Sequence, residues 1–115
     1  MIDNPSQLAF EIPPAEAHEL LEAGEAVLID VREPHEFALA RLNGARLIPM
    51  NDIPVHFQEL ERAADERLLV VYCHHGIRSL DVVLWLRGQG IEQCVSLMGG
   101  IDLWSRQVDG SVPRY

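Results

Sequence analysis

Apolar residues along this chain gather in two kinds of stretch, short uninterrupted runs and longer segments with helical spacing, and the two kinds alternate. The clearest short run is Leu68-Leu69-Val70-Val71-Tyr72. Its uniform apolarity predicts a strand buried on both faces, as in a parallel sheet covered by helices. Cys73-His74-His75-Gly76-Ile77-Arg78 follows, and from Ser79 to Arg87 the apolar side chains take up helical spacing until Gly88 and Gly90 stop it. Ala26 to Arg32 reads as a second buried strand that ends in a charged pair, Gln93 to Met98 as a third, Arg46-Leu47-Ile48 as a short one and Phe10 to Ile12 as an edge strand. Between them, Ala15 to Ala23 predicts a helix closed by Gly24, Glu33 to Ala38 a brief helical turn, and Asn43-Gly44-Ala45 a turn. Asn51 or Asp52 is placed to cap a helix that turns Ile53, Phe57, Leu60 and Ala64 inward, and Gly99-Gly100 precedes a last helix, Ile101 to Gln107. This rhythm predicts an α/β fold with a mostly parallel sheet and helices on both faces.

Composition narrows the picture without changing it. A chain of 115 residues with 48% hydrophobic content is read as one domain spanning residues 1–115, its core running from about 10 to 107 and its 109–115 tail irregular. Two cysteines with no CxxC pair form neither a zinc pattern nor a disulfide framework, and no cofactor motif is present, so a reducing cytoplasm is expected. Met1-Ile2-Asp3-Asn4-Pro5 has no basic region and no long apolar stretch, which predicts neither a leader peptide nor a membrane span. A net charge of −9 with no basic cluster argues against a nucleic-acid partner.

The candidate chemistry lies in the loop after Leu68–Tyr72. Cys73 stands where a strand hands over to a helix N-terminus, the edge of an open α/β sheet at which ligands bind. Gly76 permits a tight turn whose successive N–H groups converge on one anion. Moving a thiol from pKa ~8.5 to ~6.5 takes about 2.7 kcal/mol. A helix terminus supplies only ~0.3–1 kcal/mol of that, so the rest must come from N–H groups on the sulfur, at roughly 1.5–3 kcal/mol each, and from Arg78 facing the cavity. An isolated cysteine at a strand end is more often inert. Gly76 and Arg78 mark this one as a nucleophile. His74, His75 and Arg78 make a neutral-to-cationic island in an acidic protein, suited to a small anionic substrate. The adjacent His74 and His75 seldom aim at one ion, so they are read as shaping the pocket mouth, with no metal. Asp30 and Arg32 lie on one strand face by period two and are read as supporting residues that fix a loop. Cys94, His18, His35 and His56 carry no pattern and are read as inert or surface positions. Trp85 and Trp104 suit core packing, and Met98 either lines the site or fills core space.

Taken as a set, Leu28-Ile29-Asp30-Val31-Arg32-Glu33, Asn43-Gly44-Ala45 with Ile48-Pro49, Val71 to Ser79 and Leu97 to Trp104 resemble the rhodanese-like family of single-domain sulfurtransferases. The resemblance implies a five-stranded parallel sheet flanked by helices, with Cys73 as the residue that carries sulfur. The chain departs from the common family pattern at Ala40-Arg41-Leu42-Asn43 and at His74, where many members have arginine. Cysteine-dependent phosphatases place one residue more between cysteine and arginine than the four found here, His74 to Ile77. The smaller ring suits one sulfane sulfur better than a phosphate.

The expected reaction is transfer of a sulfane sulfur from thiosulfate or a persulfide donor to a thiol, cyanide or a sulfur-carrier protein through a Cys73 persulfide. Backbone N–H groups from His74, His75, Gly76, Ile77 and Ser79 would line the loop, and Arg78 would orient the donor. A protein-to-protein sulfur relay and a noncatalytic interaction module are the alternatives.

Overall fold

The computed structural model describes residues 9–115, so the Met1–Pro5 stretch read above lies outside the described residues. Five strands alternate with helices: β1 Glu11–Ile12, α1 Pro14–Glu22, β2 Ala26–Asp30, α2 Pro34–Leu39, β3 Arg46–Leu47, a 3-10 helix Met50–His56, α3 Phe57–Glu66, β4 Leu68–Tyr72, α4 Ile77–Gly88, β5 Cys94–Leu97 and α5 Gly100–Gln107. They form one sheet in the order β1-β5-β4-β2-β3, and every pairing is parallel.

Strand periodicity sorts the core into two layers. Leu68, Val70 and Tyr72 point to a cluster with Ala17 of α1 and Ile101 and Trp104 of α5. Leu69, Val71 and Cys73 point the other way, to Ile53 of the 3-10 helix, Leu60 of α3 and Val82, Val83 and Leu86 of α4. All five residues of β4 are buried, and each such Leu or Val contributes about 1.5–3 kcal/mol relative to leaving it exposed. Helices therefore cover both faces. Chain order reverses between β2 and β4, since β3 lies beyond β2 on one side and β5 beyond β4 on the other. Such a reversal opens a crevice at the carboxyl ends of the two central strands.

Four sequence expectations are corrected. The helix read from Asn51 or Asp52 to Ala64 is split, because Pro54 inside it has no N–H to donate and the first half tightens into the 3-10 form. Neither Asn51 nor Asp52 caps α3, whose N-cap is His56 without a side-chain bond. Trp85 is not a core residue: the stripe of α4 that meets the sheet is Ser79, Val82, Val83 and Leu86, and Trp85 falls beside it, 40% exposed, edge-on to Phe57. Trp104 is buried, whereas Met98 is exposed beyond the end of β5. The strand beginning at Ala26 ends at Asp30 rather than Arg32, because the Asp30 carboxylate accepts the Arg32 backbone N–H at 3.0 Å. Val31 still donates its N–H to Tyr72 O at 3.1 Å, and the i to i+2 bond turns the chain away just after it. Asp30 and Arg32 thus meet through a turn, not across a strand face.

Candidate active site

The crevice between β2 and β4 holds both halves of the site. From β4, the chain leaves the sheet at Cys73, bends through His74, His75 and Gly76, and enters α4 at Ile77. Gly76 takes φ +105°, a left-handed backbone that a side chain would strain. That bend aims two amides at one sulfur: Cys73 Sγ accepts the Gly76 N–H at 3.1 Å and the Ser79 N–H at 3.4 Å. Ser79 Oγ also lies 3.4 Å from Sγ and 2.7 Å from Ser96 Oγ, so two buried hydroxyls back the sulfur from below. Hydrogen bonds to a charged acceptor are worth roughly 1.5–3 kcal/mol each, so the loop has donors in place for negative charge in this corner of the crevice.

The first turn of α5 holds the loop in this shape. Cys73 O accepts from Ile101 N at 2.9 Å and His74 O from Asp102 N at 3.2 Å. With those carbonyls turned toward α5, the N–H groups that follow face the crevice. The approach is close enough that a Cβ on Gly100 would stand 2.4 Å from His74 O and 2.5 Å from Cys73 O. Gly100 and the amides of Ile101 and Asp102 therefore form the docking surface for the loop carbonyls.

Arg78 does not stand free in the cavity. Its two Nη atoms donate to Glu36 Oε1 and Oε2 at 2.7 and 3.0 Å. The Glu36 bond is also the main reason that the guanidinium holds its proton more strongly than usual, with Cys73 adding a smaller effect in the same direction. Reciprocally, Arg78 lowers the Glu36 carboxyl from 4.5 to about 2 against the opposing effect of burial. The cationic island inferred from His74, His75 and Arg78 is thereby offset by a carboxylate from α2. Glu36 also closes a capping box at the start of α2, its Oε1 accepting the Glu33 backbone N–H at 3.1 Å. The three-residue spacing of Glu33 and Glu36 fits that cap locally, and the second use of Glu36 on Arg78 depends on tertiary structure.

Behind this pair sits Arg32, fully buried. Its Nε and Nη2 bond to Asp30 at 2.9 and 2.6 Å, Nη2 also to Ala40 O at 2.6 Å, and Nη1 to the Tyr115 hydroxyl at 2.7 Å. Burial works against the charge on Arg32, but Asp30 and Tyr115 outweigh it and its proton is held more strongly than usual. Tyr115 came unannounced: its ring stacks on His74 at 4.0 Å and 7°, and its hydroxyl donates to Glu36 Oε2 at 2.8 Å. Burial and the neighbouring His75 hold the His74 imidazole below its ordinary range. His75 and Ile77 are exposed at the rim, and Cys94 is buried, its thiol pushed up to about 11 by that burial. Among the described residues, no group of three or more His, Cys, Asp or Glu side chains is placed to hold a metal ion.

The arrangement presents a buried cysteine sulfur that accepts two loop amides, at the head of a strand–loop–helix whose arginine is paired with Glu36. Comparison with known proteins agrees with that architecture. The family model for the rhodanese-like domain matches residues 13–107. Over 94 residues the chain is 38% identical to the thiosulfate sulfurtransferase GlpE of Stutzerimonas stutzeri, covering 81% of this chain and 82% of GlpE. It is 33% identical over 105 residues to the probable adenylyltransferase/sulfurtransferase MoeZ of Mycobacterium tuberculosis, covering 90% of this chain but only 26% of MoeZ. The human single-domain sulfurtransferase TSTD1 superposes with a TM-score of 0.74 at 28% identity, over 87% of this chain and 98% of TSTD1. With the parallel sheet, the strand–loop–helix at Cys73 and a family match across most of its length, the chain belongs to the rhodanese-like domain family.

Proposed function

We propose that the chain is a sulfurtransferase of the rhodanese type, one domain throughout, in which Cys73 carries the transferred sulfur. One observation carries this reading: Cys73 Sγ sits at the start of the Cys73–Arg78 arc and accepts two backbone N–H bonds at the mouth of α4. The Cys73 thiolate attacks the outer sulfur of thiosulfate. A bond forms between the two sulfurs, the S–S bond of the donor breaks, and its electron pair leaves with sulfite. A persulfide donor reacts in the same way and releases a thiolate. A thiol, or cyanide in an assay, then attacks the terminal sulfur, and Cys73 departs as the thiolate that began the cycle.

The loop amides stabilise negative charge on sulfur before and after the transfer, without reorganisation. Arg78, anchored by Glu36, presents a fixed positive edge to an anionic donor. Asp30 and Arg32 position rather than react, since they hold α2 and hence Glu36 in place. The GlpE likeness supports thiosulfate as donor. The MoeZ likeness favours, as a second reading, a protein acceptor such as a sulfur carrier. Both cysteines are free thiols and no described helix is long and apolar enough to cross a membrane, in keeping with a cytoplasmic setting.

Incubating the reduced protein with thiosulfate and weighing it intact tests the proposal. The expected mass gain is one sulfur atom, absent in Cys73→Ser and removed by cyanide with release of thiocyanate. A Cys73→Ser variant with undiminished sulfur transfer would falsify it. Slow reaction with thiosulfate but rapid loading from a protein persulfide selects the relay.

A further inference from the structure

Cys73 is only 1% exposed, so the sulfur that must meet a donor lies under cover. Much of the surrounding wall is held by regular structure: α5 binds the loop carbonyls, and Glu36 is fixed by its cap and by Arg78. Tyr115 is different. It lies on the irregular 109–115 segment, is 40% exposed, and reaches the site from a chain anchored by Ser105 Oγ on Val112 O at 2.6 Å and by an exposed Arg114–Asp102 pair at 3.0 Å. Its ring completes a three-ring stack, His75 on His74 at 4.0 Å and His74 on Tyr115 at 4.0 Å. Its hydroxyl accepts from Arg32 and donates to Glu36, the carboxylate that also grips Arg78. One side chain thus spans from the residue after the nucleophile to the partner of the arginine that closes the loop. Segments with few regular backbone bonds and partly exposed contacts are the first to open.

Resting on the reading of Cys73 as the reacting group, we propose that Tyr115 is a specificity-determining residue of this site: seated on His74 and bonded to Glu36 and Arg32, it bars bulky reactants from Cys73 and admits small ones. Its hydroxyl and its ring hold it closed by separate means. Loss of the hydroxyl removes both of its hydrogen bonds and weakens closure by at least about fivefold, and loss of the ring abolishes it.

The test compares alkylation of Cys73 by iodoacetamide and by a bulky aryl maleimide in the wild type, Tyr115→Phe and Tyr115→Ala. The ratio of the two rate constants cancels any change in thiolate fraction, because both reagents need the same thiolate. The bulky reagent is expected to gain about fivefold in Tyr115→Phe and at least about tenfold in Tyr115→Ala, with iodoacetamide changing by less than about threefold. Buried Cys94, followed in a Cys73→Ser background, reports general loosening. A ratio that stays at the wild-type value in both variants overturns the proposal, and so does a parallel rise in Cys94 labelling. Alkylation requires no sulfur transfer. A size-dependent gain in a protein that never forms a persulfide would therefore remove the functional reading and leave the gate in place, while a persulfide with no size effect would do the reverse.

Discussion

Glu36 takes both Nη atoms of Arg78 and the hydroxyl proton of Tyr115, and the Arg78 bond is the chief reason its carboxyl titrates near pH 2. Because the folded-state value lies below the ordinary 4.5, the group stabilises the fold fully above that value, and the contribution fades as pH falls from about 4.5 toward about 2. Converted at about 1.36 kcal/mol per unit, it amounts to about 3 kcal/mol at neutral pH. Urea titrations of wild type and Glu36→Gln should differ by about that much at pH 7 and converge near pH 2. Ser79 offers a second test at this scale. Replacing it with alanine leaves Ser96 Oγ buried without its 2.7 Å partner. The expected loss is about 1–3 kcal/mol by urea denaturation, accompanied by slower Cys73 alkylation near neutral pH as the sulfur loses a hydroxyl contact. Cys73, His74, Gly76, Arg78 and Ser79 could be picked from the chain because they are neighbours in one short arc. Glu36, Ser96 and Tyr115 come from other elements, and no local spacing brings them there.

Elements were legible wherever burial and local preference agree. Leu68–Tyr72 is apolar throughout and became a strand covered on both faces. The 3-10 helix departs from the expectation because one residue, Pro54, overrides an otherwise helical apolar spacing. The α5 terminus matters most to the site, since it fixes the loop carbonyls and thereby the direction of the loop amides. Gly100 takes φ +62° and has no room for a Cβ against the backbone of Cys73 and His74. Gly100→Ala is expected to cost about 3 kcal/mol or more, combining left-handed strain with overpacking against a backbone that cannot rotate away. Denaturation should register the loss, and thiolate-selective alkylation should show the amides drawn off Sγ in whatever fraction stays folded.

Across the whole molecule, Arg32 links the end of β2, the C-terminal end of α2 at Glu36 O and Ala40 O, and the 109–115 segment through Tyr115. Arg32→Met keeps much of the volume but leaves the buried Asp30 carboxylate without its ion partner. A loss of about 3–5 kcal/mol is expected in chemical denaturation, because an unpaired buried charge costs more than the pair contributes. The same variant should loosen Tyr115, visible as faster exchange of backbone amides in 109–115. By itself, the sequence determined the strands, the helices and their alternation, and it placed a cysteine at a strand end before a glycine-bearing bend, because hydrophobic period and turn chemistry act over a few residues. Only the tertiary structure decided which groups surround that sulfur. The order β1-β5-β4-β2-β3 brings α2, the start of α5 and residue 115 to one crevice, and contacts between residues so distant in the chain arise from the packing of layers, which no local pattern encodes.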